Sequence, residues 1–232
     1  MSKAMRVVRP AGDAVRVLIG SRPRKSLLEQ AYQDLKLRII TCRYRPGEVL
    51  SEAAISLDLQ IGRTPVHQAI HRLVMDGLAS IMPRKGVMVR PVSMDEALEI
   101  IEVRLVTECY CARLAADRAD EAELQRLEDT LKSSAKMTET RNVEQMMLLD
   151  REFHDILARA ARNTVLADVL RNLHERSLRF WFISLQDPEH HLKVLAHHRA
   201  IVAALRSRKP EAAEAAMREH IRAFQANVTR QV

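Results

Sequence analysis

Nine histidines are spread unevenly along this 232-residue chain, and some have the types and spacing of a metal site. Asp150 and His154 stand four apart in a helical pattern, so both side chains project from one face. Phe153 and Leu157 flank that face and direct it inward. His198 and His220 fall on two later helical stretches separated by Pro210; if those pack as antiparallel neighbours, their imidazoles converge on the first pair. One carboxylate and three imidazoles suit Zn²⁺, Ni²⁺ or Mn²⁺, the imidazoles favouring nitrogen-preferring ions. The plainer reading, a satisfied Asp–His ion pair on a helix, stays open at this point. His174, His190, His191 and His197 are expected to be exposed or to stand behind the ligands. His190/His197 and His191/His198 are each seven apart, which leaves a competing ligand choice.

A second set of chemically active residues lies between Gly47 and Pro91. Pro65 is tolerated in a helix only within its first turn, so a helix starts near Arg63 or Thr64. Val66, Ala69, Ile70, Leu73 and Val74 then form an apolar stripe. Arg63, Thr64, His67, Gln68 and His71 occupy the other face, and each can hydrogen-bond to a base edge or a phosphate. Ser51 is positioned to cap a short helix running to about Asp58, with Leu59–Gly62 as the turn between the two. Helix, short turn, helix is the helix-turn-helix plan, in which the start of the second helix meets the bases. Leu78–Met82 and Val87–Arg90 alternate as strands around Pro83-Arg84-Lys85-Gly86, a hairpin with a basic tip that can touch phosphate or a groove.

The rest of the chain must position these groups. Residues 1–25 read as a basic N-terminal arm, and Ser26–Thr41 as a first helix carrying Leu28, Ala31, Tyr32, Leu35 and Ile39 inward. Ser93-x-x-Glu96 has the form of a capping box opening a long helix to about Ala119. Further helices follow: Asp120 to about Met137, Val143–Ala161 behind an Asn142 cap, Thr164 to about Leu185, Pro188 to about Arg208 behind an Asp187 cap, and Pro210 to about Val228. Short connections between six such helices imply an all-α bundle. The fold class is therefore mainly α: a winged helix-turn-helix domain (26–92) followed by an all-α helical-bundle domain (93–232).

Charge follows this division. The chain is +7 overall. Residues 1–92 hold 16 Lys and Arg against 7 Asp and Glu, while the remainder holds 21 against 23. A basic head on a nearly neutral body suits a polyanion partner such as double-stranded DNA. No apolar run approaches a membrane span, and no secretory leader is evident. Cys42, Cys109 and Cys111, an odd number without a C-x-x-C, fit a cytoplasmic location.

The residues also carry a resemblance. Pro46-Gly47-Glu48-Val49-Leu50-Ser51-Glu52, Gly62-Arg63-Thr64-Pro65-Val66 and Leu73-Val74-Met75-Asp76-Gly77-Leu78 resemble the winged-helix signature of the GntR family of bacterial regulators. The chain departs from that pattern at Gly62, His67 and Gln68, where Ser, Arg and Glu are usual. Asp150-Arg151-Glu152-Phe153-His154, His198-Arg199-Ala200-Ile201 and Ala216-Met217-Arg218-Glu219-His220 resemble the C-terminal effector (FCD-type) domain of the FadR subgroup, with His197 where a Glu is usual. The resemblance implies a DNA-contacting set of Ser51, Arg63, Thr64, His67, Lys85 and Gly86. It implies metal ligation by Asp150, His154, His198 and His220, with Arg104 facing a small carboxylate effector; Arg104 could instead be tied up by Glu108. The implied function is a homodimeric, ligand-responsive transcription regulator on a two-fold symmetric operator. Two other classes fit parts of the chain: a metal-dependent enzyme with an accessory DNA-binding head, and an architectural DNA-binding protein without a ligand. Against the enzyme, no further carboxylate or histidine is placed as an evident general base.

Overall fold

The computed structural model describes residues 26–184 and 188–230. The basic arm 1–25 and the Asp187 cap lie outside the described residues. The elements in order are α1 (Leu27–Ile40), β1 (Val49–Leu50), α2 (Glu52–Leu59), α3 (Arg63–Met75), β2 (Ala79–Met82), β3 (Gly86–Val89), α4 (Met94–Arg118), α5 (Glu121–Thr140), α6 (Val143–Ala160), α7 (Thr164–Ser184), α8 (Pro188–Arg206) and α9 (Pro210–Val228).

Local chemistry accounts for most of these boundaries. Ser26, Ser51, Asp120 and Asn142 each accept a backbone N–H at the start of α1, α2, α5 and α6, contacts worth about 0.5–2 kcal/mol apiece. Gln60 turns the chain out of α2 through a left-handed conformation, and Gly62 caps α3. The capping box expected at Ser93 and Glu96 forms only by half. Ser93 Oγ accepts the Glu96 N–H, but the Glu96 carboxylate is drawn away to Arg176 on α7 (2.6 Å). A complete capping box stands instead at Asp120 and Glu123.

The three strands form one antiparallel sheet in the order β1-β3-β2. Two residues of β1 carry no periodicity, and the sequence shows only the β2–β3 hairpin. Gly86 is what lets β1 join: a Cβ there would stand 2.3 Å from the Leu50 carbonyl oxygen, and its φ of +115° is already unfavourable for other residues.

Two apolar cores result. One, built from α1–α3 and the sheet, includes Leu35, Ile55, Val66, Ile70, Leu73 and Val89. The other fills the helical bundle and includes Ile101, Leu127, Phe153, Ile156, Leu205, Met217 and Ile221. Helix α4 runs through the bundle against α6, α7, α8 and α9. Helix α1 belongs to both cores, since Ile40 packs into the bundle while Leu35 and Ile39 pack into the head.

Candidate functional site

The bundle brings all four expected ligands together. α6 supplies Asp150 and His154 from one face, α8 supplies His198 and α9 supplies His220. Donor nitrogens of the three imidazoles lie within 4.8 Å of one another, and all three residues are buried. Asp150 Oδ1 stands 3.5 Å from His198 Nε2 and 4.0 Å from His154 Nε2. The flat face of Phe153 stacks on His198, with ring centroids 4.0 Å apart and planes 7° from parallel, so that ring is held in orientation by packing.

Buried donors without partners make the case for a cation. Asp150 Oδ1, His154 Nε2, His198 Nε2 and His220 Nδ1 are sealed from solvent and make no hydrogen bond among the described residues. Each such group costs roughly 1–3 kcal/mol. A divalent ion would satisfy the three imidazole nitrogens, with Asp150 Oδ1 beside two of them as an oxygen donor, so the residues present fit the metal the sequence implied. Their protonation fits as well. Burial, then the neighbouring imidazoles, holds His198 and His220 well below the ordinary histidine value, which leaves them neutral as ligands must be. Burial pushes Asp150 up to about 6 against the opposing pull of His154 and Arg104; a cation would reverse that.

One residue of the cluster was missed by sequence reasoning. Glu108, on the inner face of α4, is buried with Oε2 2.9 Å from His154 Nδ1 and Oε1 3.0 Å from His174 Nε2. Burial would raise its carboxyl, yet Arg104, His174 and His154 outweigh that and hold it well below the carboxylate range. An ionised Glu108 at Nδ1 raises the His154 pKa against the effect of burial, and it favours the tautomer whose Nε2 faces the other ligands. The i,i+4 relation of Arg104 and Glu108 was visible in the sequence, but not the helix they face. Of the histidines expected to be exposed or to stand behind the ligands, His174, His190 and His191 are buried, and His174 stands against Glu108. Glu108 is therefore the extra acid that the sequence did not place at the cluster. Glu108 is too tightly paired to serve as a general base.

A narrow cavity of about 20 Å³ opens beside the cluster, walled by Arg104, Asp150, Arg151, His154, His220, Trp181 and Phe224 among others. A second of about 30 Å³ adjoins Asp150, Trp181 and His198, with Ser134, Thr138, Met146, Val194 and Leu195. Arg104 is paired with Glu108, its Nε donating at 2.5 Å, and its guanidinium lies 5.3 Å from the Phe224 ring on the cavity wall. The first cavity thus offers two arginines beside a cluster of imidazoles, a setting for an anion.

From that cavity a chain of polar contacts reaches the head. Arg151 bonds Glu175 on α7 (2.6 Å), and Glu175 meets Lys36 of α1 in a buried ion pair. Lys36 Nζ donates to Tyr32 Oη (3.2 Å), and Tyr32 Oη donates to Asp76 Oδ2 (2.5 Å) at the C-cap of α3. The Arg72 guanidinium of α3 lies over the Tyr32 ring, 3.7 Å from its centroid. Burial pulls the Lys36 amine down, offset in part by Glu175.

On the head, the outward face of α3 presents Arg63, Thr64, His67, Gln68 and His71, all exposed. His67 does not point away alone: its Nδ1 bonds Glu52 Oε1 (2.9 Å) and its Nε2 meets His71 Nε2 (3.2 Å). Ser51 Oγ is occupied in accepting the Ala54 N–H. Lys85 is exposed at the hairpin tip next to Arg84, whereas Gly86 is the first residue of β3 and pairs with Met82.

Comparison with known proteins agrees with this layout. Residues 27–89 match the family described as bacterial regulatory proteins, gntR family, and residues 99–223 match the FCD domain. The chain is 30% identical to the HTH-type transcriptional repressor RspR of Escherichia coli K12 over 206 residues, 89% of this chain and 90% of that protein. It is 29% identical to the Nta operon transcriptional regulator of Aminobacter aminovorans, covering 78% of this chain and 85% of that one. The solved structure of E. coli McbR/YncC superposes with a TM-score of 0.81 at 22% identity, covering 90% of this chain and 99% of the other, which shows a shared fold.

Proposed function

The chain belongs to the GntR family of bacterial regulators and carries an FCD domain, and from that premise we propose that it is a homodimeric repressor or activator whose DNA affinity is set by a small carboxylic acid bound beside a metal ion. Its relatives are transcription regulators rather than enzymes. The division into a head (26–92) and an effector domain (93–232) is part of this reading, and the two apolar cores support it.

Asp150, His154, His198 and His220 would hold the ion, Zn²⁺, Ni²⁺ or Mn²⁺, with Glu108 positioning His154 from behind. The ion would supply a fixed positive charge and coordination positions for an oxygen donor. Arg104 and Arg151 orient the acid from the cavity wall as charge-assisted hydrogen-bond donors. Because Arg151 is shared with Glu175, an acid that takes up Arg151 weakens its hold on Glu175, and the Lys36–Tyr32–Asp76 contacts transmit the change to the end of α3. An effector acts only through a difference in its affinity for two arrangements of the heads.

The dimer is supported by α4. While Arg104 and Glu108 face inward, Val103, Val106 and Tyr110 lie outward, and Val106 is 72% exposed. Two heads double the bases read, which a single recognition helix needs for a useful specificity ratio. Arg63 and Thr64 read bases at the start of α3, and Lys85 with Arg84 reaches phosphate or groove.

The observation that carries this reading is the sealed group of unpartnered donors opening onto a cavity with two arginines. Native mass spectrometry with elemental analysis tests it, by reporting subunits, metal and copurified acid together. Two chains with one ion each are expected. A monomer, or a chain that takes up no Zn²⁺, Ni²⁺ or Mn²⁺ after dialysis against them, would overturn it.

A further inference from the structure

His67 and His71 are one helical turn apart on the exposed face of α3, and their Nε2 atoms approach to 3.2 Å. Two nitrogens bound to one tetrahedral ion at about 2.0–2.1 Å lie roughly 3.4 Å apart, so the pair already has nearly the separation of two ligands. Glu52, the first residue of α2, stands with Oε1 2.9 Å from His67 Nδ1. A carboxylate accepting the Nδ1–H leaves the lone pair on Nε2, the arrangement found behind metal-bound histidines. Both helices of the reading motif therefore contribute, and the rings meet at 70°, edge to face, on two exposed residues.

We propose that His67 Nε2 and His71 Nε2 hold a divalent nitrogen-preferring ion, Ni²⁺, Zn²⁺ or Cu²⁺, on the DNA-reading helix, and that this ion competes with the operator for the same imidazoles. Without the ion, the His71 Nε2–H donates to His67 Nε2. On binding, that proton moves through solvent to His71 Nδ1, both rings remain neutral, and each Nε2 lone pair goes to the metal. Water completes the coordination. Two exposed ligands bind more weakly than the four buried donors of the bundle, so this position fills second and exchanges readily. The competition rests on the DNA-reading assignment of α3; the ion site itself does not.

Equilibrium dialysis of the full chain against Ni²⁺ tests the site. The wild type should bind one ion more than H67Q or H71Q, H198Q should lose only the tighter ion, and E52Q should weaken the second by roughly tenfold. His67 and His71 are exposed and Glu52 is partly exposed, so the variants keep the fold. If H67Q and H71Q bind as many ions as the wild type, the site is refuted whatever the buried cluster does. In a second arm, operator affinity of the wild type should fall as the weaker site fills. An affinity unchanged at full loading refutes the competition, whereas a metal-free chain that ignores operator DNA refutes the reading of the head instead.

Discussion

Lys36→Met separates stability from signalling in the contact chain between cavity and head. Lys36 is 3% exposed and meets Glu175 across the two cores, so methionine keeps the length and apolar stem of the side chain but removes its charge. Stripping one partner from a buried pair costs roughly 3–5 kcal/mol when the other is stranded. Glu175 is not stranded here, because Arg151, itself partly exposed, still bonds it at 2.6 Å. A loss of about 2 kcal/mol is therefore expected in urea denaturation. Lys36→Met/Glu175→Gln removes both charges and should recover most of that loss. The coupling should not recover. Coupling between sites is typically about 1–3 kcal/mol, or 5–150-fold in affinity. In both variants the shift in operator affinity caused by a short mono- or dicarboxylate active on the wild type should shrink to less than about twofold. The assay is operator titration by fluorescence anisotropy, with and without the acid. A double variant that is stable and still responds fully would refute the role given to this contact chain.

Other consequences are open to simpler tests. Arg63→Ala should cost about 1–3 kcal/mol on operator DNA if the guanidinium reads a guanine, while Lys85→Ala should act evenly across sequences and lower the salt slope; equal losses on operator and random DNA for both would contradict the Arg63 assignment. Glu108→Gln leaves every ligand in place yet should weaken metal binding roughly 10–100-fold, measured by competition with a chelator, because His154 loses the charge at its Nδ1. Metal occupancy should fall as pH drops through about 6, since Asp150 takes up its proton near there and His154, its pKa raised, must shed one to bind; a flat occupancy curve from pH ~5 to ~8 would contradict the ligand set.

Much of this was legible in the sequence where the signal is local. Pro65 marked the start of α3, Asn142 the start of α6 and Pro210 that of α9, because caps and helix-start prolines act within one turn. The proposed ligand set came by another route: Asp150 and His154 through their spacing, His198 and His220 through their places on two later helices and the resemblance, and the structure gathers the three imidazoles with Asp150 beside two of them. What could not be read depends on contacts between distant elements. Glu96 looked like a capping residue until Arg176, eighty positions later, claimed its carboxylate. β1 is two residues whose pairing depends on the missing side chain of Gly86. Glu108 and His174 reach the cluster from α4 and α7, and no periodicity tells which face of a buried helix meets a metal. His67 stood out as a departure from arginine, with His71 one turn on in the same helix, but its partner Glu52 appears only once α2 packs against α3.

The central claim is that metal and acid together set DNA affinity, and operator titration on metal-loaded and chelated protein tests it most directly. Short mono- and dicarboxylates are screened on the loaded form, then the active one is repeated after the ion is removed. The account predicts a clear shift in operator affinity with the metal present, and none after chelation or in His198→Ala and His220→Ala, while operator binding by the head persists in part. If the acid shifts operator affinity equally with the metal removed, the ion is only structural and the mechanism is wrong.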